Sequence, residues 1–79
     1  MSYPFDLERA LKGEAVVTRD GREIRHIGRR HSVLGFDVLG IIEGEREQDG
    51  WTIQGRYFKN AITRHDLFML NPSTDVDNS

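Results

Sequence analysis

Apolar and polar positions alternate along this chain in short blocks separated by glycine, aspartate and asparagine, which is the pattern of a small, turn-rich domain. The first block differs from the rest. Leu7, Ala10 and Leu11 recur at helical spacing between Asp6 and Gly13. The spacing predicts a short helix with Asp6 as N-cap, Phe5 stapled onto Ala10, Glu8 at the positive end, and Gly13 in a left-handed conformation after the last turn. A helix this short does not persist alone in water, so its apolar face must lie on a sheet.

A hairpin signal follows. Ala15-Val16-Val17 and Ile24-Arg25-His26-Ile27 flank Thr18-Arg19-Asp20-Gly21-Arg22-Glu23, and Asp-Gly between apolar-bearing runs favours a type I′ turn, which needs positive φ at both central residues. Strands over residues 15–19 and 22–27 then place Arg19 opposite Arg22, Thr18 opposite Glu23, Val17 opposite Ile24, Val16 opposite Arg25 and Ala15 opposite His26. Adjacent guanidinium groups repel, so Arg19 and Arg22 either splay into water or meet an acidic partner.

Beyond the hairpin, residues 28–32 read as a polar, basic loop. Residues 33–42 form the most apolar run and predict a central strand, bent or bulged at Gly35 and Gly40. Residues 43–50 read as an acidic loop or hairpin end, with Asp49-Gly50 as a second turn. Trp51-Thr52-Ile53 and Arg56-Tyr57-Phe58 predict short strands around a third turn at Gln54-Gly55, and Asp66 to Leu70 predicts a last strand that closes the sheet. Asn71-Pro72 ends it, residues 73–79 form a polar tail expected to be disordered, and no internal repeat is visible.

The elements sum to a mainly β fold with one short N-terminal helix, an α+β arrangement built as a small, strongly curved antiparallel sheet or partly open barrel over residues 1–72. Phe5, Leu7, Leu11, Val17, Ile24, Leu34, Phe36, Val38, Ile41, Trp51, Ile53, Tyr57, Phe58, Leu67 and Phe68 are the expected core.

Length and composition narrow the class. Seventy-nine residues suit one domain near the lower limit for a self-sufficient core, and the absence of cysteine removes disulfides and thiolate metal sites. The apolar runs are too short to span a bilayer, and Asp6 and Glu8 stand where a signal peptide would carry basic residues, so a cytoplasmic location in a host cell is expected. The net charge of −2 opposes a strong global pull on nucleic acid, but the charges are segregated. Arg19, Arg22, Arg25, Arg29, Arg30 and His31 form a basic pole, and Glu43, Glu45, Glu47 and Asp49 an acidic one.

Catalytic chemistry finds little footing. His31-Ser32 is not a meaningful nucleophile–base spacing, and a domain of this size has little room for a pocket, so the chain is expected not to be an enzyme and to need no cofactor. His26, His31 and His65 with Asp66 match no recognised metal spacing, and His26, beside Ala15, is expected to be partly buried and hydrogen-bonded. The basic pole could take phosphates, since guanidinium offers paired donors to phosphate oxygens, although a hydrated basic face is the commonest meaning of such a cluster. The acidic run could imitate a phosphate backbone if extended, or simply keep the chain in solution.

Phe5-Asp6-Leu7-Glu8, Gly13-Glu14, Val17-Thr18-Arg19-Asp20-Gly21-Arg22, Trp51-Thr52, Gly55-Arg56-Tyr57-Phe58 and Asp66-Leu67-Phe68-Met69 together resemble a group of small phage and prophage proteins, over nearly the whole chain up to Leu70. The resemblance implies a shared scaffold and a viral or mobile-element origin, and supplies no active site. The chain departs from that pattern at Arg29-Arg30-His31 and over Glu43 to Asp49, where a specialised role would sit. The resulting expectation is a non-enzymatic phage accessory protein that binds a host protein or ribonucleoprotein complex, as an inhibitor of a bacterial defence system of the anti-CRISPR kind would. The alternatives are nucleic-acid or nucleotide-phosphate binding through the arginines, and a structural or self-assembling virion component. No membrane partner is expected, and the sequence does not set the oligomeric state.

Overall fold

The computed structural model describes residues 3–72, so the tail expected over 73–79 lies outside the described residues. In chain order the elements are β1 (Tyr3–Pro4), α1 (Leu7–Leu11), β2 (Val16–Thr18), β3 (Ile24–Arg29), β4 (Val38–Ile42), β5 (Asp49–Trp51) and β6 (Leu67–Met69). They form two antiparallel three-stranded sheets, ordered β1-β6-β2 and β3-β4-β5. A single Val17–Glu23 bridge joins them at a corner. The mainly β, antiparallel expectation is met; among the described residues the strands form two separate three-stranded ladders and no closed barrel. Among the described residues no helix is long and apolar enough to cross a membrane.

The helix carries the caps its sequence requires. Asp6 Oδ1 accepts from Arg9 N–H at 3.2 Å, and Gly13 adopts φ +100° past the last turn. Ala10 faces inward and Leu7 packs against the core, but Leu11 is 45% exposed. Arg9 fastens the helix to the end of β6 by donating to the carbonyls of Asn71 and Pro72, both at 2.9 Å.

The first hairpin differs in register from the expected one. Thr18 N–H donates to Arg22 O at 2.8 Å, Gly21 N–H donates to Thr18 O at 2.9 Å, and Val17 sits opposite Glu23 instead of Ile24. The loop therefore holds three residues, and only Gly21, at φ +90°, takes the left-handed region that a type I′ turn would also demand of Asp20. Arg22 N–H also donates to Thr18 Oγ1 at 3.0 Å, a bond a two-residue loop would not allow. The same turn recurs at Thr52-Ile53-Gln54-Gly55-Arg56. There Thr52 N–H reaches Arg56 O at 2.9 Å, Gly55 N–H reaches Thr52 O at 2.8 Å, Arg56 N–H reaches Thr52 Oγ1 at 3.1 Å, and Gly55 has φ +85°. A Thr-x-x-Gly-Arg signature thus appears twice, each time with the threonine hydroxyl replacing a ladder acceptor.

Other expected strands shorten. Residues 33–37 are loop, because Gly35 N–H closes a turn onto Ser32 O at 3.1 Å and Asp37 Oδ1 accepts from Ser32 N–H at 3.1 Å. Asp49-Gly50 lies in β5 and not in a turn, and of the strands expected around Gln54-Gly55 only Trp51 is in a ladder. Inward positions alternate along β4 and β6, so the core draws on both sheets and the helix: Ala10, Val16, Ile24, Val38, Ile42, Trp51, Leu67 and Met69. Leu34, Ile53 and Phe58, expected inside, are exposed, whereas Val16, Ile42 and Met69 take their places.

Gly40 shows how closely the second sheet is packed. A Cβ there would stand 2.5 Å from Ile24 Cγ2 and 3.4 Å from Trp51 Cζ3. Gly40→Ala is expected to cost about 1–3 kcal/mol through overpacking, at roughly 4–8 °C of thermal midpoint per kcal/mol. A melting curve unchanged from the parent would show that Ile24 has room to yield.

Candidate functional site

The basic pole is sorted by one irregularity in β3. Ile24 pairs with Ile42 and Arg25 with Ile41, but Gly28 pairs with Leu39 and Arg29 with Val38, so His26 and Ile27 together face Gly40 across a β-bulge. Paired residues share a face, and Ile41 and Val38 point to opposite faces of β4. Arg25 and Arg29, four apart and on one face of a regular strand, are therefore separated to the two sides of the sheet. His26 occupies the bulge at φ +57° and is exposed, which corrects the expectation of a partly buried histidine beside Ala15.

Arg19 and Arg22 do not oppose one another, and each has an acidic partner. Arg19 Nη2 lies 3.4 Å from Asp66 Oδ2, its Nε donates to Thr63 O at 3.1 Å, and its guanidinium stands 4.8 Å from the centre of the Phe68 ring. Arg22 bridges Asp20 at 3.4 Å and Glu45 at 3.6 Å and approaches His65 Nδ1 at 3.4 Å. Basic and acidic poles thus meet at Arg22.

The acidic run is a hairpin loop and not an extended strand, since Glu45 N–H turns back to Ile42 O at 2.8 Å and Gly44 has φ +89°. Glu43 and Glu47 are exposed, and Glu43 N–H donates to Glu23 O at 2.8 Å. Asp49 lies near Tyr57 and is half-buried, and burial together with the nearby Glu45 carboxylate raises its pKa above the ordinary 3.8. Burial and Asp49 likewise raise the Tyr57 phenol above 10.0. Asp20 moves the other way, lowered by hydrogen bonds from Thr18 Oγ1 and Arg22.

Asp66 is the most constrained ionisable group, at 2% exposure. Its Oδ1 accepts from Tyr57 N–H at 3.0 Å and Thr63 Oγ1 at 3.1 Å, and its Oδ2 from Thr63 N–H at 3.2 Å. Burial alone would raise its pKa, but these donors and Arg19 outweigh it and hold the carboxyl below 3.8. Asp66 is thereby committed to the scaffold. Among the described residues no group of three or more histidine, aspartate or glutamate side chains is placed to hold a metal ion.

What stays open is Arg25, beside Ile41, and, at the other end of the second sheet, Arg29, Arg30 and His31. All four are exposed, and among the described residues no carboxylate stands within salt-bridge reach of these arginines. Arg30 is held in place: its N–H donates to Asp37 O at 2.8 Å, its Nε to Phe36 O at 3.1 Å, and its guanidinium lies over Gly50, where an added Cβ would meet Nη2 at 3.2 Å. Arg30, Phe36, Gly50, Tyr57 and Phe58 line a groove of about 270 Å³. Beside it the 32–35 turn displays Val33 at 93% and Leu34 at 65% exposure, and Lys59 sits 5.6 Å from the centre of the Phe36 ring. A larger groove of about 510 Å³ runs past Tyr3, Phe5, Ile53 and Phe68, with Arg19 and Arg56 in its wall already hydrogen-bonded to Thr63 O and Ala61 O.

Sequence reasoning placed Arg29, Arg30 and His31 in this region but missed Val33, Leu34, Phe58 and Lys59. The available signal was Ser32-Val33-Leu34-Gly35, a serine and glycine at turn spacing inside the apolar run. Residues 2–68 match the family model described as Haemophilus phage HP1 protein YO09. Neither the curated proteins nor the solved structures give a match.

Proposed function

The chain belongs to the family of Haemophilus phage HP1 protein YO09, and from that premise we propose that it is a small phage accessory protein that works by docking on a host macromolecule, without catalysis. The observation that carries the reading is the 32–35 turn, which holds Val33 and Leu34 out in water directly after the exposed Arg30 and His31 in the chain. Apolar side chains grouped on a cationic surface have the make-up of an interface centre, where burial supplies affinity and charge supplies orientation. A phage product meets host assemblies in the infected cell, and we carry forward inhibition of a bacterial defence complex, such as a CRISPR surveillance complex, as the form to test first.

Direct binding of nucleic acid through the arginines gains less support. Salt bridges engage Arg19 and Arg22, and the bulge sends Arg25 and Arg29 to opposite faces, so these four do not line up along a phosphate backbone. The test is affinity capture from a bacterial lysate with the chain and with a Val33→Asp, Leu34→Asp variant, read by mass spectrometry. A host assembly retained by the parent and depleted about tenfold or more by the variant is expected. Equal capture by both chains would remove the turn as the contact.

A further inference from the structure

We infer that the groove beside the 32–35 turn is the specificity pocket of this surface, and that it seats a bulky apolar side chain of a partner protein with an adjacent carboxylate on Arg30. The inference rests on the docking function proposed above and names the chemistry of the partner segment.

Three features of the groove point to such an occupant. Its walls are aromatic: Tyr57 and Phe58 meet edge to face with ring centres 5.0 Å apart, and Phe36 stands across from them. A bulky apolar group entering there gains edge and face contacts as well as burial. The groove is shallow and open, about 270 Å³, with space to seat one side chain but without the enclosure usual for a small-molecule site. Phe58 is 54% exposed, so the groove is open to a partner without rearrangement of the core.

The charge of the site specifies the neighbouring group. Arg30 is fixed through its backbone N–H and its Nε, which leaves the terminal guanidinium nitrogens over Gly50 without a carboxylate among the described residues. A guanidinium already held in one rotamer loses little further freedom when it binds an anion and discriminates strongly for a planar carboxylate. Lys59 adds positive charge across Phe36. Glycine at position 50 lets the guanidinium lie close against the strand, since an added Cβ would stand 3.2 Å from Arg30 Nη2.

The same features separate a protein partner from a nucleic acid. Stacked bases on a charged track need aromatics and cations in series, whereas this groove has room for one group. The net charge of −2 also repels a polyanion.

The experiment is a titration of the isotope-labelled full chain, followed by nuclear magnetic resonance, with a capped hexapeptide alternating glutamate and phenylalanine. Its glutamine–phenylalanine counterpart and an oligothymidine are run in parallel. Saturable displacement of the Gly50, Tyr57 and Phe58 amides and the Arg30 Nε–H signal is expected with the glutamate peptide, with binding about tenfold weaker for the glutamine peptide and for Arg30→Gln. Should Arg30→Gln lose its dispersed spectrum, the comparison of the two peptides on the parent chain still decides. Equal binding of both peptides, no displacement at millimolar peptide, or tighter displacement of the same signals by oligothymidine overturns the inference. If the peptides fail while capture from lysate is lost in the Val33→Asp, Leu34→Asp chain, the docking function stands and the pocket assignment falls. If the peptides bind as expected but capture is unchanged, the 32–35 turn is removed as the contact for the captured assembly and the pocket's preference for an acidic, apolar-bearing segment remains.

Discussion

Trp51→Ala is expected to abolish stable folding, or to lower the thermal midpoint by tens of degrees. Trp51 is fully buried where β5 meets the core, its ring touches the space above Gly40, and its indole N–H donates to His65 O at 2.8 Å. Removing so large a buried aromatic costs about 3–5 kcal/mol. At roughly 0.05–0.15 kcal/mol per residue, a chain of 79 residues has only about 4–12 kcal/mol in total, so the loss consumes much or all of it. Trp51→Phe separates the contributions: it keeps most of the packing but strands the His65 carbonyl and leaves a gap beside Tyr57, whose ring centre lies 6.1 Å away. Circular dichroism melts should rank parent, Trp51→Phe and Trp51→Ala in falling order. A Trp51→Ala chain melting within a few degrees of the parent would mean the core is centred elsewhere.

Asp66→Asn is the second large effect, for an electrostatic reason. Each carboxylate oxygen accepts two donors, so an amide must aim its NH₂ either at Tyr57 N–H and Thr63 Oγ1 or at Thr63 N–H and Arg19. Either orientation leaves one backbone N–H, of Tyr57 or of Thr63, facing a donor, at a cost of about 2–4 kcal/mol, measurable as a fall in the urea midpoint. The pH dependence follows from the directions of the shifts. Asp66 and Asp20 are held below 3.8 in the folded chain, so the stability they contribute is present at neutral pH and disappears as pH falls through their lowered values. Asp49 is raised, so its charged form disfavours the fold at neutral pH and that penalty is relieved on acidification above 3.8. The parent should therefore hold or slightly gain stability on mild acidification and lose it steeply below pH 3.8, and Asp66→Asn should flatten that steep limb. An unchanged acid limb in the variant would assign it to other carboxylates.

Local rules were readable where one residue decides the geometry. Asp6 caps the helix and Gly13 ends it because the cap hydrogen bond and the positive φ need nothing from the rest of the chain. β6 was readable from its composition, and Trp51 from its bulk. The hairpin register was not, because a hydroxyl on Thr18 can replace a ladder acceptor and add one residue to the loop, an alternative that Asp-Gly alone conceals. His26 was misplaced for a separate reason, because it lies in a bulge of the β3–β4 ladder that the hairpin register does not set. Residues 33–37 looked like strand because they are apolar, yet Ser32 and Asp37 satisfy their backbone locally and leave Val33 and Leu34 facing water. The charged residues of the candidate surface were visible in the sequence. Its pocket was not, since Arg30 meets Gly50 and Phe58 only after the second sheet has formed.

The placement of β6 between β1 and β2 has a bearing on how the chain is made. Residues near the beginning find their ladder partners only in Leu67–Met69, so the first sheet cannot close during synthesis until those three residues have left the ribosome. The β3-β4-β5 half, whose pairings are local, can organise earlier. Until then it must keep one side of Trp51 and Ile42 uncovered, and the nascent protein passes through a sticky, half-built stage in which chaperones have their opportunity.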